Sequence, residues 1–470
     1  MSTVTQVPAT PTPENSVSQP ELEEGTFDRL ARLASLLGAG FLCVQFGFLM
    51  AVADTPLYRM TRDGIIAAKA LWAERSMQAE ECPPSLWNLS RYEERGIVRS
   101  ETAQSFAGYT LYSSGDSAAV VALNNDGEVV HRWDAPFSKV WKTAPHMSRK
   151  VPDNAIYIRR FHPFENGDVL ALYETTTTTP FGCGLARLDV QGNPIWTFND
   201  HTHHDLDVGD DGRIYVLTQA LLLEPHPTFR QIGGAQVEEF VSVVSPDGKE
   251  LKKISLFDLV GKSGILRGDI TSVDLSGDIL HSNTVRLVGP GFASHYETVS
   301  AGDVMICLRN MNLAVIVNLE KEEIVWATSG PWHLPHDPTP MEDGTILAFD
   351  NLFTWGTEIR SRIVQFDPAT HELKWSFSGD DKTHPLLSNI RSCQQRLPNG
   401  NTLITESDFG RLLEVTLDGE VVWEFVNPVR SKTTPMQTPV VSGAFRYTQD
   451  ELPFLKPHVP SQVAVKTTSP

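Results

Sequence analysis

From residue 106 onward, short apolar runs alternate with polar residues and close on Asp-Gly or Asn-Gly turns. That is the pattern of strands joined in hairpins. One unit recurs: ALNNDGEVVHRW over 122–133, ENGDVLALYE over 165–174, DDGRIYVLTQ over 210–219, AGDVMICLRN over 301–310, EDGTILAFDN over 342–351 and PNGNTLITES over 398–407. Several units close on a strand bearing a tryptophan: Trp133, Trp196, Trp326, Trp375 and Trp423. The period, roughly 45 to 55 residues, predicts about six blades of a β-propeller. A lone blade cannot bury both faces, so blades stack around a central channel. The tryptophans are expected to pack between blades. The expected fold is thus all-β, a six-bladed β-propeller over 106–428.

The N-terminal pattern is different. Residues 34–53, ASLLGAGFLCVQFGFLMAVA, carry no charge and match the thickness of a bilayer. They predict a single transmembrane helix, an uncleaved signal anchor, because a cleaved leader starts nearer the terminus and has a shorter apolar core. Residues 1–26 read as a disordered acidic tail. Residues 54–105 read as a linker with a stalk helix over 60–80, and 429–470 as a C-terminal tail whose 440–448 stretch is compatible with a closing strand. Arg29 and Arg32 before the span balance Arg59, Arg62 and Lys69 after it, so charge does not choose an orientation.

The 470 residues carry a net charge of −19, which argues against nucleic-acid binding. None of the five cysteines forms a C-x-x-C pair, so zinc is not expected and buried free thiols are. No cofactor signature is present.

Four polar signatures fall on the repeat: His203-His204-Asp205, His281-Ser282-Asn283, Arg309-Asn310 and His336-Asp337. His204 lies eight residues before Gly212, and His336 eight before Gly344. Arg159 and Ser392 hold the same position before Gly167 and Gly400, while His281 aligns only across an insert. A histidine at one point of successive blades faces the axis. His203 alternates to the other side of its strand and is expected to be structural. Asp205 and Asp337 are expected to stabilise local turns, and Asp207, Asp210 and Asp211 to form a plain turn rather than a calcium loop. Arg309 closes an apolar strand, where a charge implies a wet cavity. Three imidazoles and a guanidinium suit an anion better than a metal, since arginine opposes a cation and offers a donor fork to oxyanions.

The set HHD at 203–205, HSN at 281–283, RN at 309–310 and HD at 336–337 resembles the bacterial arylsulfotransferases (arylsulfate sulfotransferases) over about residues 106–428. The resemblance implies a six-bladed propeller that moves a sulfuryl group from a phenolic sulfate ester to a phenolic acceptor. It implies a ping-pong reaction through a sulfated histidine, without 3′-phosphoadenosine-5′-phosphosulfate. It gives His336 as nucleophile, His281 and Arg309 as groups that neutralise the sulfuryl oxygens and the leaving phenolate, and His204 as acid/base. It also implies a periplasmic propeller held at the inner membrane by the N-terminal helix. Asn310 stands where the family has a histidine, and GPWHLP lacks the glutamine expected near His336. The second reading is a non-catalytic propeller that binds an anionic ligand or a protein partner.

Overall fold

The computed structural model describes residues 26–53, 55–58, 60–61, 85–232, 234–265, 277–355, 358–379 and 385–455. The acidic tail up to residue 25, nearly all of the stalk helix, and Cys82 lie outside these residues. The chain divides into two units, residues 1–71 and 72–470.

The first unit is built on one helix, Thr26–Val52. Within it, Arg32–Met50 has a mean hydropathy of 1.9 and none of it is buried. Its 27 residues rise about 40 Å. It is long and apolar enough to cross a membrane.

The second unit is a six-bladed β-propeller. Alternation of apolar and polar residues makes each blade a four-stranded antiparallel sheet, with a fifth strand on one. The innermost strands of blades two to six are Ile156–Pro163, Thr202–Val208, Ser282–Leu287, His336–Pro340 and Cys393–Arg396. Blade one takes its innermost strand from the other end of the chain: Val441–Tyr447 pairs with Tyr109–Ser114. Blade six gains Gly96–Ser100 on its outer edge, paired with Val421–Val426, and Trp87–Leu89 pairs with Gln437–Pro439. The ring therefore uses residues on both sides of 106–428. Sharing a sheet between the two ends of the chain closes the ring and covers edges that would otherwise be open.

Six hydrophobic clusters fill the spaces between successive blades. Trp133, Ile158 and Tyr173 lie between blades one and two, and Tyr112, Trp423 and Phe425 close the ring between six and one. The closing tryptophans reach across these gaps. The Trp133 indole donates to Gly167 O at 2.9 Å, Trp196 to Pro246 O at 3.1 Å, Trp375 to Leu417 O at 2.8 Å and Trp423 to Asn125 O at 2.9 Å. In blade four the donor is Tyr296, whose hydroxyl bonds Gly344 O at 2.7 Å, while Trp326 packs edge-on against Tyr296. Each bond satisfies a turn carbonyl and fixes the angle between neighbouring blades.

The channel ends of the inner strands are irregular in the same way. Register shifts occur at Ile158/Arg160, His203/Leu206, Ser282/Thr284, His336/Thr339 and Val441/Gly443. A bulge bends its strand and re-aims the side chains there. His204, His281 and Asp337 have φ of 56°, 49° and 53°, left-handed values that non-glycine residues hold only when their surroundings enforce them. The repeated bulge is the local device that turns polar residues toward the axis.

Candidate active site

At the bulged end, a cavity of about 450 Å³ is lined by Arg159, Glu174, Phe181, His204, His281, Arg309, His336 and Arg391, with Tyr157, Ile390 and a run of threonines between 175 and 179. His204, His281, Arg309 and His336, singled out from sequence, all line it. A larger groove of about 720 Å³ over Arg213, Lys252 and Asn318 holds no histidine; chemistry rather than volume selects the channel.

His336 is buried. Its Nδ1 lies 2.7 Å from Asn351 Oδ1. Asn351 Nδ2 donates to Ser388 O at 2.8 Å and to Arg391 O at 3.0 Å, which fixes the amide so that its oxygen faces the imidazole. His336 must then carry its proton on Nδ1, leaving the lone pair on Nε2. That lone pair accepts from the Arg391 backbone N–H at 3.2 Å. Burial, with Arg309 and Arg159 nearby, holds the imidazole well below its usual pKa, so it is neutral at ordinary pH.

His281 Nδ1 sits 2.5 Å from Asp278 Oδ2. Burial works against the charge of Asp278, but His281 beside it outweighs this and holds the carboxyl below its usual range. Asn310 links this pair to Arg309: it accepts from Arg309 Nη1 at 2.9 Å and donates to Asp278 O at 2.8 Å. Arg309 follows the buried strand Val304–Leu308 and starts a short 3-10 turn, which turns its guanidinium out of the sheet and into the cavity.

His204 meets His281 edge-on, with ring centroids 4.9 Å apart, and Phe181 covers it at 5.2 Å. Its backbone N–H bonds the Glu174 carboxylate, and Glu174 also accepts from the Tyr157 hydroxyl at 2.7 Å. Arg159 Nε lies 3.8 Å from Glu174 Oε2, and its Nη1 donates to Ser442 O at 2.8 Å. Burial, then His281, pushes His204 well below its usual pKa. His203 does not line the cavity and is fully buried.

Asp205 and Asp337 do not serve local turns. Both are buried on the axis. Arg286 pairs with both of them, and Arg160 Nε reaches Asp205 Oδ1 at 2.8 Å. Gln394 donates its backbone N–H to Asp337 at 3.1 Å. The network ties the inner strands of blades two to six together directly beneath the histidines. Sequence spacing hid it because its partners come from different blades. Asp211 does form the plain turn expected, accepting from Arg213 N at 3.0 Å.

The turn glycines also mark a second position at the channel. Seven residues after the turn glycines Gly167, Gly212, Gly302 and Gly344 stand Glu174, Gln219, Arg309 and Asn351. In each blade this position is level with the channel end of the first strand, beside its bulge. Glu174, Arg309 and Asn351 are all in the site, so the position that carries Arg309 would also have found the partner of His336. Ser392, aligned with the histidines, does not line the cavity; its Oγ accepts from Ser407 N at 3.1 Å. Cys183, Cys307 and Cys393 are buried free thiols, and Cys43 is exposed on the helix.

Among solved structures, a protein of unknown function from Bacteroides caccae is similar at 12% identity and a TM-score of 0.46, covering 73% of this chain and 99% of its own. A virginiamycin B lyase from Staphylococcus aureus is similar at 12% identity and a TM-score of 0.33, covering 57% and 69%. A chain of a nidogen/laminin complex is similar at 11% identity and a TM-score of 0.37, covering 72% and 97%. Likenesses this distant carry no argument about activity. No curated protein matches the chain. The profile of one family, described as arylsulfotransferase (ASST), matches residues 161–428, more than half of the chain.

Proposed function

The chain belongs to the arylsulfotransferase family, and from that premise we propose that it moves a sulfuryl group from a phenolic sulfate ester to a phenolic acceptor through a sulfated His336. The observation that carries this reading is the fixed tautomer of His336: a neutral imidazole, locked by Asn351, whose Nε2 lone pair meets the Arg391 N–H at the wall of a cavity that also holds Arg309. In the first half-reaction Nε2 gives up the hydrogen bond from the Arg391 N–H and attacks sulfur, the bond from sulfur to the aryl oxygen breaks, and the phenolate departs with the electron pair. Arg309 and His281 offer donors to the sulfuryl oxygens, where charge concentrates in transfer. His204 supplies a proton to the leaving oxygen. In the second half-reaction an acceptor phenol attacks sulfur, the N–S bond breaks back onto Nε2, and His204 takes the phenolic proton. The sulfuryl group comes from the aryl ester, so 3′-phosphoadenosine-5′-phosphosulfate is not needed.

The N-terminal helix reads as a single-pass anchor at the inner membrane, with its N-terminus in the cytoplasm and the propeller in the periplasm. The family resemblance supports that side; the flanking charge does not decide it.

The test is to incubate the purified protein with p-nitrophenyl sulfate and phenol. Nitrophenol release and a sulfated peptide containing His336 are expected, and both should vanish in His336→Ala. Release that survives unchanged in that variant would sink the proposal.

A further inference from the structure

His204 continues inward from the cavity. Its Nδ1 lies 2.9 Å from His203 Nδ1, so one ring donates and the other accepts. His203 Nε2 in turn lies 3.8 Å from Glu239 Oε1. His203 and Glu239 are fully buried. Both Glu239 oxygens accept from the Ser282 backbone N–H, at 3.1 and 2.9 Å, which aims the carboxyl at the start of the blade-four inner strand. Phe181 stands edge-on to both imidazoles, at 5.5 Å from His203 and 5.2 Å from His204.

We propose that His203 and Glu239 make, with His204, a buried proton store that empties and refills once per transfer. They are then positioning residues for the acid/base step. The proposal rests on the sulfuryl-transfer reading above. In the loaded state Glu239 holds a proton, His203 carries its own on Nδ1, and His204 carries its own on Nε2. When the S–O bond of the donor breaks, the phenolate oxygen takes the Nε2 proton of His204. The His203 Nδ1 proton moves to His204 Nδ1, and the Glu239 proton moves to His203 Nε2. Both imidazoles remain neutral and Glu239 is left as a carboxylate. In the second half-reaction the acceptor oxygen forms its bond to sulfur, the N–S pair returns to His336 Nε2, and the phenolic proton drives the three transfers backward. One proton leaves and one returns. The 3.8 Å step closes with a carboxyl movement of roughly 0.7 Å, to the length of an N–H···O bond.

The electrostatics favour a shared proton over one held by His204 alone. Burial, then His281, makes the His204 imidazole a weak base, and burial lowers His203 to about 3. Burial, with Asp278 nearby, raises Glu239 well above the usual carboxyl range. The proton therefore rests best at the far end of the chain, and the two rings conduct it without either becoming a cation.

The test compares donors of different leaving ability in the full chain and in His203→Gln and Glu239→Gln. Glutamine at 239 keeps an acceptor for the Ser282 N–H. Nitrophenolate leaves readily without a proton, whereas phenolate needs one. Each variant should slow turnover of phenyl sulfate at least about tenfold more than turnover of p-nitrophenyl sulfate, since general acid help is worth about 10² to 10⁴ in rate. Equal losses on both donors, or none on either, overturn the store while leaving the transfer reading intact. A wild-type chain that releases no nitrophenol overturns both.

Discussion

Asn351 Oδ1 accepts from His336 Nδ1 at 2.7 Å while the amide nitrogen of Asn351 holds Ser388 O and Arg391 O. One side chain thereby sets the tautomer of the imidazole and ties it to the loop that covers it. Arg391 and Ser392 in that loop have φ of 68° and 81°, so the strained turn and the histidine are held by the same amide.

Asn351→Ala frees the imidazole to put its proton on Nε2. We expect kcat for p-nitrophenyl sulfate to fall at least about 100-fold with little change in KM, as loss of the correct tautomer does in other histidine enzymes. Steady-state kinetics check this; a rise in KM at constant kcat would assign Asn351 to binding instead.

Arg309→Lys keeps the charge and loses the planar fork. A loss of about 10- to 1,000-fold in kcat is expected, the range seen when one donor to a developing oxyanion is removed. A lysine variant with wild-type turnover would show that charge alone suffices there.

Arg286→Met leaves Asp205 and Asp337 buried with their shared partner gone. Breaking a buried ion pair from one side costs about 3–5 kcal/mol, so the urea midpoint should drop clearly. An unchanged midpoint would mean that the network contributes to specificity of the ring rather than to its stability.

Burial lowers the folded pKa of His336 and His204 below the unfolded value near 6.5. Above pH 6.5 both states are neutral and nothing is lost. As pH falls below 6.5 the unfolded chain gains protons that the folded chain refuses, so stability declines toward the folded pKa values. For the same reason the acid limb of kcat/KM set by His336 should lie below pH 6.5. A pH–rate profile that already falls between pH 8 and 7 on its acid side contradicts a neutral, buried nucleophile.

Much of the fold is written in periodicity. The alternation closed by Gly212 and Gly344 gives strands and turns because those glycines adopt φ of 76° and 79°, which most residues resist. The position eight residues earlier is legible for the same reason: turn and strand geometry are local, so a constant spacing means a constant direction. His281 escapes that count because its blade carries an insert between Leu287 and Val304, yet its side chain arrives at the same cavity.

Sequence by itself determined the repeat, the apolar helix, and the ring position of His204, Arg309 and His336, because each follows from distances of a few residues along the chain. Only the tertiary structure decided that Val441–Tyr447 closes blade one, that Asp205 and Asp337 share Arg286, and that Asn351 chooses the tautomer of His336. The first two join residues of different blades or distant parts of the chain, and nothing local specifies them; the third joins two strands of one blade, where the spacing from Gly344 brings Asn351 beside the bulge and the side-chain contacts choose its amide orientation. Closing the ring buries polar groups at the channel, and the partners that satisfy Asp205 and Asp337 there come from neighbouring blades.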